Sequence, residues 1–558
     1  MKAFAELYAA LDETTKTNEK VAALTRYLAA ARPEDAAWAV NFLIGRRPKR
    51  LLESRKLAQW ATEEAGVPEW LFAECYHAVG DFAELIALLL PPAEESTSLP
   101  LHHWVEQRLL PLREADDETR RAWLVSAWRE MDEGQRFAWN KLITGEFRVG
   151  VSQSLVVRAL AEVSGVSGEV ISHRLMGEWQ PTPEFWKQLV GGAGQGALGF
   201  ASTSRDAEGQ AGSAAPPDSP ARAEAAPPAA PISRPYPFFL AYPLEGDVEG
   251  LGDIRDWQVE WKWDGIRAQL IRRQRQTFLW SRGEELITPR FPELDALGKL
   301  LPEGTVIDGE VLPWKEGAPL PFAQMQRRIG RKVLGHKILA DVPVVLMGYD
   351  LLEFEGLDVR ERPLEWRRAQ LESIALPDGA LVLSPIVEAG SWDGLKLLRQ
   401  GSRERKVEGF MLKRRGSPYR VGRRRGDWWK WKIQPYSVDA VLIYAQPGNG
   451  RRASLFTDYT FGIWDQGKLV PFAKAYSGLT DDEIQEVDAF VRRNTIEKFG
   501  PVHAVKQELV FELAFEGIQR SPRHRSGIAV RFPRMARWRH DKKPEDADSI
   551  ETIRALLG

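Results

Sequence analysis

The sequence is poor in the residues that build disulfide frameworks and zinc sites. One cysteine and eight histidines among 558 residues exclude a disulfide-stapled scaffold and any zinc module built from several cysteines. Long hydrophobic runs are also missing, since Leu85–Leu90 is far shorter than the roughly 20 apolar residues that span a bilayer. Glu6 and Asp12 interrupt the segment where a secretory signal would be apolar. We therefore expect a reduced, cytoplasmic, globular protein without a membrane partner.

Net charge is equally uninformative, because 76 basic residues nearly balance 78 acidic ones. The distribution of charge is uneven, however. Residues 1–200 hold 22 lysines and arginines against 28 acids, whereas residues 399–432 hold 13 against 3 and residues 520–543 hold 9 against 1. Concentrated basic segments on a near-neutral chain indicate surfaces that handle phosphate groups. Two solvated basic faces would give the same composition.

The first 200 residues are predicted to be helical. Apolar residues recur at helical spacing from Asn18 onward, and the pattern continues over Trp38–Leu52, Glu53–Glu64, Arg120–Met131 and Ser154–Val163. Residues 201–235 are rich in alanine, proline, serine and glycine, which predicts a flexible linker. Gly194–Gly199 matches G-x-G-x-x-G, but it enters this linker without the strand and helix that a dinucleotide site needs. We interpret it as a glycine-rich hinge.

Strand signals begin after the linker. β-rich runs occur at Trp257–Trp261, Ala268–Ile271, Thr277–Trp280, Thr305–Leu312 and Val342–Tyr349, with helical patterns at Phe291–Leu300 and Glu365–Ile374. This alternation predicts a mixed α/β domain over residues 236–433. Strands at shorter spacing follow at Val438–Tyr444, Leu455–Trp464, Lys468–Ala475 and Leu509–Phe515, with one helix over Asp481–Phe499. They predict a small β-barrel over residues 434–558.

Lys262 draws attention because of the residues that follow it. It ends a predicted strand and precedes Asp264, Gly265 and Arg267, which are an acid, a turn-forming glycine and an arginine. A lysine amine is a covalent nucleophile when it is deprotonated and positioned. The K-x-D-G pattern is short, and a surface lysine before a turn would also produce it.

Further motifs follow Lys262–Arg267 in a fixed order. Together they resemble the covalent nucleotidyltransferases, the family of DNA ligases, RNA ligases and mRNA capping enzymes. Six short motifs in the family's order, over about 170 residues, are a strong joint signal. The five that follow the first are Ser281–Gly283, Ile307–Glu310, Tyr349–Asp350, Glu408–Lys413 and Trp429–Lys432.

The resemblance implies where ATP binds. Lys262 is expected to attack the α-phosphate, and the ring of Tyr349 is expected to stack on the purine. Glu260 would read the adenine or brace its pocket, while Glu310 and Arg267 would hold the ribose. Tyr349 stands where a phenylalanine is common in the family, and stacking survives this change.

The resemblance also implies how phosphates and metal are held. Glu310 and Glu408 offer hard oxygen ligands, directly or through water, for Mg²⁺, with Mn²⁺ as a substitute. Arg282 is expected at the DNA phosphate or AMP. Residues two apart on a strand share one face, so Lys430 and Lys432 would both reach the α-phosphate. The lysines of the basic segment in this set are Lys413, Lys430 and Lys432.

The C-terminal motif indicates the branch of the family. Arg531–Arg534 reads R-F-P-R, which resembles the last motif of ATP-dependent DNA ligases, whereas capping enzymes carry a different pattern there. Leu142–Gly150 resembles the R-[IV]-G turn of the helical DNA-binding domain of these ligases, and Lys474–Glu483 resembles a region of their barrel. NAD-dependent ligases carry a four-cysteine zinc site, which one cysteine excludes. The residues expected at the leaving pyrophosphate are Arg531, Arg534, Arg537 and Lys542.

We therefore expect a multidomain protein that is an ATP-dependent DNA ligase. Its domains would be an all-α DNA-binding domain (1–200), the linker (201–235), an α/β adenylation domain with largely antiparallel sheets (236–433) and an OB-fold β-barrel (434–558). It would seal nicks in duplex DNA through lysyl-AMP, an adenylated 5′-phosphate and attack by the 3′-hydroxyl. We expect a monomer, nucleoid-associated when bound to DNA, whose barrel swings about residues 433–437.

Contact with DNA would run through phosphates without base readout. For an acidic helical domain, this requires its basic residues to gather on one face; those concerned are Arg46, Arg47, Lys49, Arg50 and Arg148.

Two other classes of protein would carry part of the same set of motifs. An RNA ligase or a capping-type guanylyltransferase would use the same lysine chemistry, although R-F-P-R and the helical N-terminal region argue against it. A non-catalytic DNA-binding protein with a decayed site is the second alternative. The residues whose presence argues against decay are Lys262, Glu310, Glu408, Lys430 and Lys432.

Overall fold

The computed structural model describes residues 1–46, 51–79, 81–93, 96–145, 147, 149–191, 232–331, 334–374, 381–448 and 454–557. Arg47, Lys49, Arg50 and Arg148 of the expected basic face, the Gly194–Gly199 pattern and residues 201–231 of the expected linker lie outside the described residues. The chain forms two compact units. One contains Met1–Thr15, Asn41–Val151 and Gln434–Gly558, and the other contains Lys16–Val40 and Ser152–Ile433.

The N-terminal region is helical, as predicted. Its α-helices are α1 (Lys2–Glu13), α2 (Thr17–Ala30), α3 (Pro33–Leu43), α4 (Ser54–Ala65), α5 (Glu69–Val79), α6 (Phe82–Leu89), α7 (Leu101–Trp104), α8 (Asp117–Glu130), α9 (Glu133–Thr144), α10 (Gln153–Ser164), α11 (Gly168–Leu175) and α12 (Pro183–Val190). A π-helical turn (Val105–Leu109) and a 3-10 turn (Leu110–Arg113) follow α7. The single helical stripe predicted over Trp38–Leu52 is wrong. Helix α3 ends at Leu43, and Gly45 follows with a left-handed φ of 88°, which glycine adopts without the steric cost of a side chain.

The helices of each unit pack through apolar faces. In the first unit, Phe4 of α1 stacks on Phe147 with ring centroids 5.5 Å apart, and buried Trp128 donates a hydrogen bond to Asn140 at 2.9 Å. In the second unit, α2 lies against α10, and a hydrogen bond of 3.0 Å joins Thr25 to Glu162. Burial of these faces, more than helix propensity, holds the helices in place.

The middle of the chain is built on antiparallel sheets. Its strands are β1 (Phe239–Leu240), β2 (Tyr242–Pro243), β3 (Trp257–Trp263), β4 (Ile266–Arg273), β5 (Gln276–Ser281), β6 (Thr305–Lys315), β7 (Ala318–Pro319), β8 (Val344–Phe354), β9 (Leu357–Asp358), β10 (Val382–Leu383), β11 (Val407–Arg414), β12 (Gly422–Arg423) and β13 (Trp428–Lys432). One sheet runs β10-β8-β6-β4-β5, with β7 and β9 on β6 and β8, and a second runs β2-β13-β11-β3. The pairings β3–β11, β11–β13, β4–β5, β4–β6 and β6–β8 are antiparallel. The α/β domain with largely antiparallel sheets is therefore confirmed.

Helices cover these sheets. They are α13 (Pro292–Leu300), α14 (Phe322–Ile329), α15 (His336–Asp341), α16 (Leu364–Ser373) and α17 (Trp392–Gln400). Leu294 and Leu297 of α13 are buried with Leu270, Leu279 and Ile307 of the larger sheet in one apolar cluster. This cluster packs against β4 and β6, the strands that carry Arg267, Asp308 and Glu310.

The C-terminal region is a curled sheet, in keeping with the predicted architecture. Its elements are β14 (Tyr436–Pro447), β15 (Phe456–Asp465), β16 (Lys468–Ala475), α18 (Asp481–Asn494), β17 (Thr495–Phe499), β18 (Val502–Val505), β19 (Val510–Phe515), β20 (Gly517–Arg520), β21 (Ile528–Arg531), β22 (Arg534–Trp538) and α19 (Ile550–Ala555). The sheet runs β16-β15-β14-β18-β17, and β19 pairs with both β14 and β22. Phe461, Phe511 and Phe515 are fully buried in its core.

The helix predicted over Asp481–Phe499 is wrong in its last turn. Helix α18 ends at Asn494, and residues 495–499 form β17, which pairs with β18. Thr495 and Ile496 are β-branched, and such side chains favour a strand over a helix. Across the described ranges, no helix is long and apolar enough to cross a membrane.

Candidate active site

Lys262 lies where the two central sheets meet. Strand β3 ends at Trp263 and β4 begins at Ile266, so Asp264 and Gly265 carry the chain from the smaller sheet to the larger one. A Cβ atom added at Gly265 would lie 2.4 Å from the carbonyl oxygen of Val311. The turn therefore accommodates only glycine, and this turn sets the position of Lys262.

Glu408 brings two lysines together. The Lys262 Nζ lies 2.5 Å from Glu408 Oε2, and the Lys432 Nζ lies 3.4 Å from the same oxygen. These three side chains are between one-fifth and one-third exposed, so a ligand can reach them. The cluster is an anion held between two cations.

A β-bulge places Glu408 beside Lys262. The register between β3 and β11 is interrupted between Val407 and Phe410. Gly409 there has a φ of 121°, and a Cβ atom would lie 2.3 Å from the carbonyl oxygen of Trp431. Bulges of this kind re-aim the neighbouring side chain, and here that side chain is Glu408.

Glu310 borders the same cluster. It lies on β6 directly opposite Arg267 on β4 and is half-buried. Burial raises the pKa of Glu310 to about 7, although the positive charges of Lys262 and Arg267 lower it. Glu310 therefore keeps its proton to a higher pH than an ordinary glutamate does.

Arg267 is held firmly by the protein. Its Nη2 lies 2.7 Å from Asp308 Oδ2 and its Nη1 donates to the carbonyl oxygen of Phe239 at 2.7 Å. The Tyr419 hydroxyl also donates to Asp308, at 2.6 Å. Burial alone would lower the pKa of Arg267, but the charge of buried Asp308 outweighs it and holds that pKa above the usual range. Arg267 is thus a permanent cation beside Glu310.

A buried ion pair lies under the ring of Tyr349. The Lys413 Nζ lies 4.4 Å from the centroid of this ring and 2.8 Å from Glu260 Oε1. Both charged side chains are only 2% exposed, whereas Tyr349 is half-buried. The cation covers one face of the ring.

Two more predicted residues, Lys430 and Arg282, lie in the same compact unit as Lys262. Lys430 and Lys432 are both partly exposed on β13, opposite Met411 and Gly409 of β11, so they share one face as predicted. The backbone N–H of exposed Arg282 donates to the carbonyl oxygen of Arg267 at 2.9 Å.

The C-terminal residues belong to the other compact unit. Within that unit, Arg537 pairs with Glu512 at 3.1 Å and Lys542 pairs with Asp439 at 2.6 Å. Arg531 lies at the end of β21, with its guanidinium 5.0 Å from the centroid of the Phe532 ring, and Arg534 begins β22.

Sequence reasoning missed three buried polar residues of the site: Gln258, Asp308 and Tyr419. Asp308 lies inside a recognised motif, and its alternation with Glu310 could have indicated that both face one side of β6. Tyr419 lies 111 positions away from Asp308 in the sequence, and no local pattern connects them.

Two carboxylates are available for a metal ion. In the described part of the chain, no group of three or more histidine, cysteine, aspartate or glutamate side chains is assembled for metal binding. Glu310 and Glu408 both adjoin Lys262. Mg²⁺ is commonly bound through one or two carboxylates together with water and substrate phosphates, so this pair fits that ion.

A lysine at the end of a strand, next to the turn between two largely antiparallel sheets and with carboxylates and further lysines around it, is the arrangement expected for transfer of a nucleotidyl group to the protein. Fold and site together define a covalent nucleotidyltransferase.

Comparison with known proteins shows which covalent nucleotidyltransferases this chain is similar to. Three family models match: the DNA ligase N terminus over residues 1–161, the ATP dependent DNA ligase domain over residues 239–432, and the ATP dependent DNA ligase C terminal region over residues 452–542. A probable DNA ligase of Koribacter versatilis is 31% identical, with 99% of this chain and 95% of the relative covered. DNA ligase 1 of Korarchaeum cryptofilum is 26% identical over 100% of this chain and 98% of its own length.

The fold agrees with that match. The solved structure Pmar-Lig_PreS3 is similar over 96% of this chain and 99% of its own, with a TM-score of 0.58 and 14% sequence identity. The chain belongs to the ATP-dependent DNA ligase family.

Proposed function

We propose that this ligase seals nicks in duplex DNA through an AMP bound covalently to Lys262. The observation that carries the proposal is the cluster in which Lys262 and Lys432 share one oxygen of Glu408. In the first step the Lys262 Nζ attacks the α-phosphorus of ATP. The ammonium first gives a proton to Glu408, whose Oε2 lies 2.5 Å from the Nζ. A nitrogen–phosphorus bond then forms, the bond to the bridging oxygen breaks, pyrophosphate leaves, and the attacking nitrogen loses a second proton to solvent. Lys430 and Lys432 neutralise the charge on the phosphate during this step.

The next two steps transfer and release AMP. A non-bridging oxygen of the 5′-phosphate at the nick attacks the phosphorus of the lysyl adenylate, which frees Lys262. The 3′-hydroxyl oxygen then attacks the 5′-phosphorus and loses its proton to solvent, the bond to the oxygen bridging to AMP breaks, the strand is joined, and AMP leaves. We assign Arg282 to the DNA phosphate or to AMP, because it is exposed beside Arg267.

The nucleotide is placed by residues of both sheets. We assign Tyr349 to stacking on the adenine through the ring face opposite Lys413, and Glu260 to the edge of the base. Glu310 and Arg267 hold the ribose side. Glu310 and Glu408 would hold Mg²⁺, which when bound supplies positive charge at the α-phosphate; Mn²⁺ would serve in its place.

The C-terminal motif acts on the leaving group. Arg531, Arg534, Arg537 and Lys542 would bind pyrophosphate in the first step and release it before sealing. A boundary between the compact units falls between Ile433 and Gln434, which supports a hinge at residues 433–437. We further propose that one copy of the chain, with a helical domain over residues 1–200, encloses nicked DNA, and that it works in the cytoplasm at the nucleoid.

A nick-sealing assay tests the proposal. Wild type and Lys262→Ala are incubated with a singly nicked duplex and Mg²⁺, with ATP, NAD or GTP supplied separately. Lys299→Ala is the matched control, because Lys299 is an exposed lysine on α13 that pairs only with Asp295 among the ion pairs described. We expect sealing with ATP alone, loss of sealing in Lys262→Ala, and full activity in Lys299→Ala.

A second readout identifies the intermediate. ATP labelled at the α-phosphate should label wild type covalently, and acid should release the label as expected for a phosphoramidate. Sealing by folded Lys262→Ala at the wild-type rate would refute the assignment of the nucleophile. Failure of folded wild type to seal with any nucleotide would refute DNA ligation and turn attention to RNA ends.

A further inference from the structure

A buried glutamine has no part in the reaction as described so far. Gln258 is 1% exposed, and its Nε2 donates to Glu260 Oε1 at 2.8 Å. The Lys413 Nζ donates to the same oxygen, also at 2.8 Å. A side-chain amide this deeply buried is costly unless it is hydrogen-bonded, and its partner here is a residue of the nucleotide pocket.

Strand register explains why these three residues meet. Gln258 and Glu260 are two positions apart on β3, so their side chains emerge on one face. Gln258 lies directly opposite Lys413 on β11. Lys413 is therefore beside Gln258 and within reach of Glu260, and both donors approach the carboxylate from the same end of β3.

The convergence of two donors on Oε1 defines the chemistry of the other oxygen. The ammonium of Lys413 pairs with the carboxylate of Glu260, and a carboxylate only accepts hydrogen bonds. With Oε1 engaged by Gln258 and Lys413, Oε2 is the oxygen offered to a ligand. A donor such as an exocyclic amine suits it, whereas a carbonyl oxygen at the same place would be repelled.

We propose that Gln258 is a positioning residue for nucleotide selection. It fixes the carboxylate of Glu260 so that Oε2 accepts a hydrogen bond from the 6-amino group of adenine and rejects a 6-oxo purine. This inference rests on the proposed function, because it needs the adenine to lie between Tyr349 and Glu260. It adds a residue that touches neither base nor phosphate.

The test is the formation of the covalent enzyme adenylate by Gln258→Met, which keeps the length of the side chain and removes its donor. One hydrogen bond contributes about 1 kcal/mol, and each 1.4 kcal/mol is tenfold, so we expect KM for ATP to rise about fivefold. The rate at saturating ATP should stay within about twofold of wild type. A purine ribonucleoside triphosphate that lacks the 6-amino group should give wild type and variant the same KM.

Two further variants separate selection from stability. Gln258→Asn keeps an amide but is one methylene shorter, and we expect the same ATP-specific loss. Gln269→Met is the matched control, since Gln269 is buried on the neighbouring sheet and bonds only the backbone of Tyr236 in the hydrogen bonds described. It should lower stability and leave the ratio of the two KM values unchanged.

The outcomes distinguish failure of this inference from failure of the proposed ligase function. If wild type forms the adenylate but Gln258→Met and Gln258→Asn bind ATP as wild type does, the inference is wrong and the ligase assignment survives. An equal rise in KM for ATP and for the analogue without the 6-amino group would also overturn it, because the effect would then not depend on that amino group. If wild type forms no adenylate with any nucleotide, the proposed function fails and this inference fails with it.

Discussion

Breaking the buried ion pair between Asp350 and Arg367 should destabilise the nucleotide-binding domain severely. Both side chains are fully buried. The Arg367 Nε lies 2.7 Å from Asp350 Oδ1 and the Nη2 lies 2.9 Å from Oδ2, while the Nη1 donates to the carbonyl oxygen of Ser417 at 3.1 Å. One arginine therefore joins β8, α16 and the segment that leads to β12. Asp350 also follows Tyr349, the ring assigned to the base.

The magnitude follows from leaving one charge without its partner. Removing one member of a buried pair costs about 3–5 kcal/mol, because the remaining charge stays in a medium of low dielectric constant. We expect Asp350→Asn to lower the free energy of unfolding by about 3 kcal/mol, since the amide oxygen still accepts one bond. Arg367→Met should lower it by about 5 kcal/mol, because the Asp350 carboxylate is left buried without its cation. The double variant removes both charges and should cost about 2 kcal/mol less than the sum of the single variants, within the range of coupling seen between contacting residues.

Hydrogen exchange followed by mass spectrometry is the appropriate assay, because it reports the opening free energy of β8 and α16 separately from that of the other compact unit. Peptides that cover α18 serve as the internal control and should keep their exchange rates. If the costs of Asp350→Asn and Arg367→Met simply add in the double variant, the two residues are not coupled. The argument from buried charge would then be refuted.

Two other predictions concern the site directly. Gly265→Ala should slow formation of the enzyme adenylate by a factor on the order of 100, because its Cβ would meet the carbonyl oxygen of Val311 and displace the lysine turn; Gly250→Ala, where nothing lies within 4 Å, should be neutral. The raised pKa of Glu310, about 7 against its ordinary value of 4.5, means that the folded state binds this proton more tightly than the unfolded state. Without nucleotide or metal, stability should therefore fall by at most about 3 kcal/mol as pH rises from about 4.5 to about 7. A series of unfolding curves against pH should show this fall in wild type and not in Glu310→Gln.

Much of this fold is predictable from local pattern. The apolar runs at Thr305–Leu312 and Val342–Tyr349 predict β6 and β8, and residues 468–475 predict β16 with its observed bounds. These strands are recognisable because each buries a face, so that the apolar residues follow from burial. The spacing of Lys430 and Lys432 likewise predicts a shared face, since residues two apart on a strand point the same way.

The roles of individual site residues depend on register, which local pattern does not contain. Glu408 meets Lys262 where the pairing of β11 with β3 is interrupted at Gly409, and 146 positions separate Lys262 from Glu408 in the sequence. The position of Gln258 opposite Lys413 also depends on strand register, whereas local pattern would treat Gln258 as one more polar residue in a strand. If the register of Phe410–Arg414 with β3 continued without the bulge, Gly409 would lie opposite Lys262, and the Glu408 side chain would be on the other face of the sheet. The motif would then read the same along the chain and hold no carboxylate beside the lysine. The bulge therefore determines which side chain lies beside the lysine, and Gly409, with its φ of 121°, is the residue that indicates the bulge in the sequence.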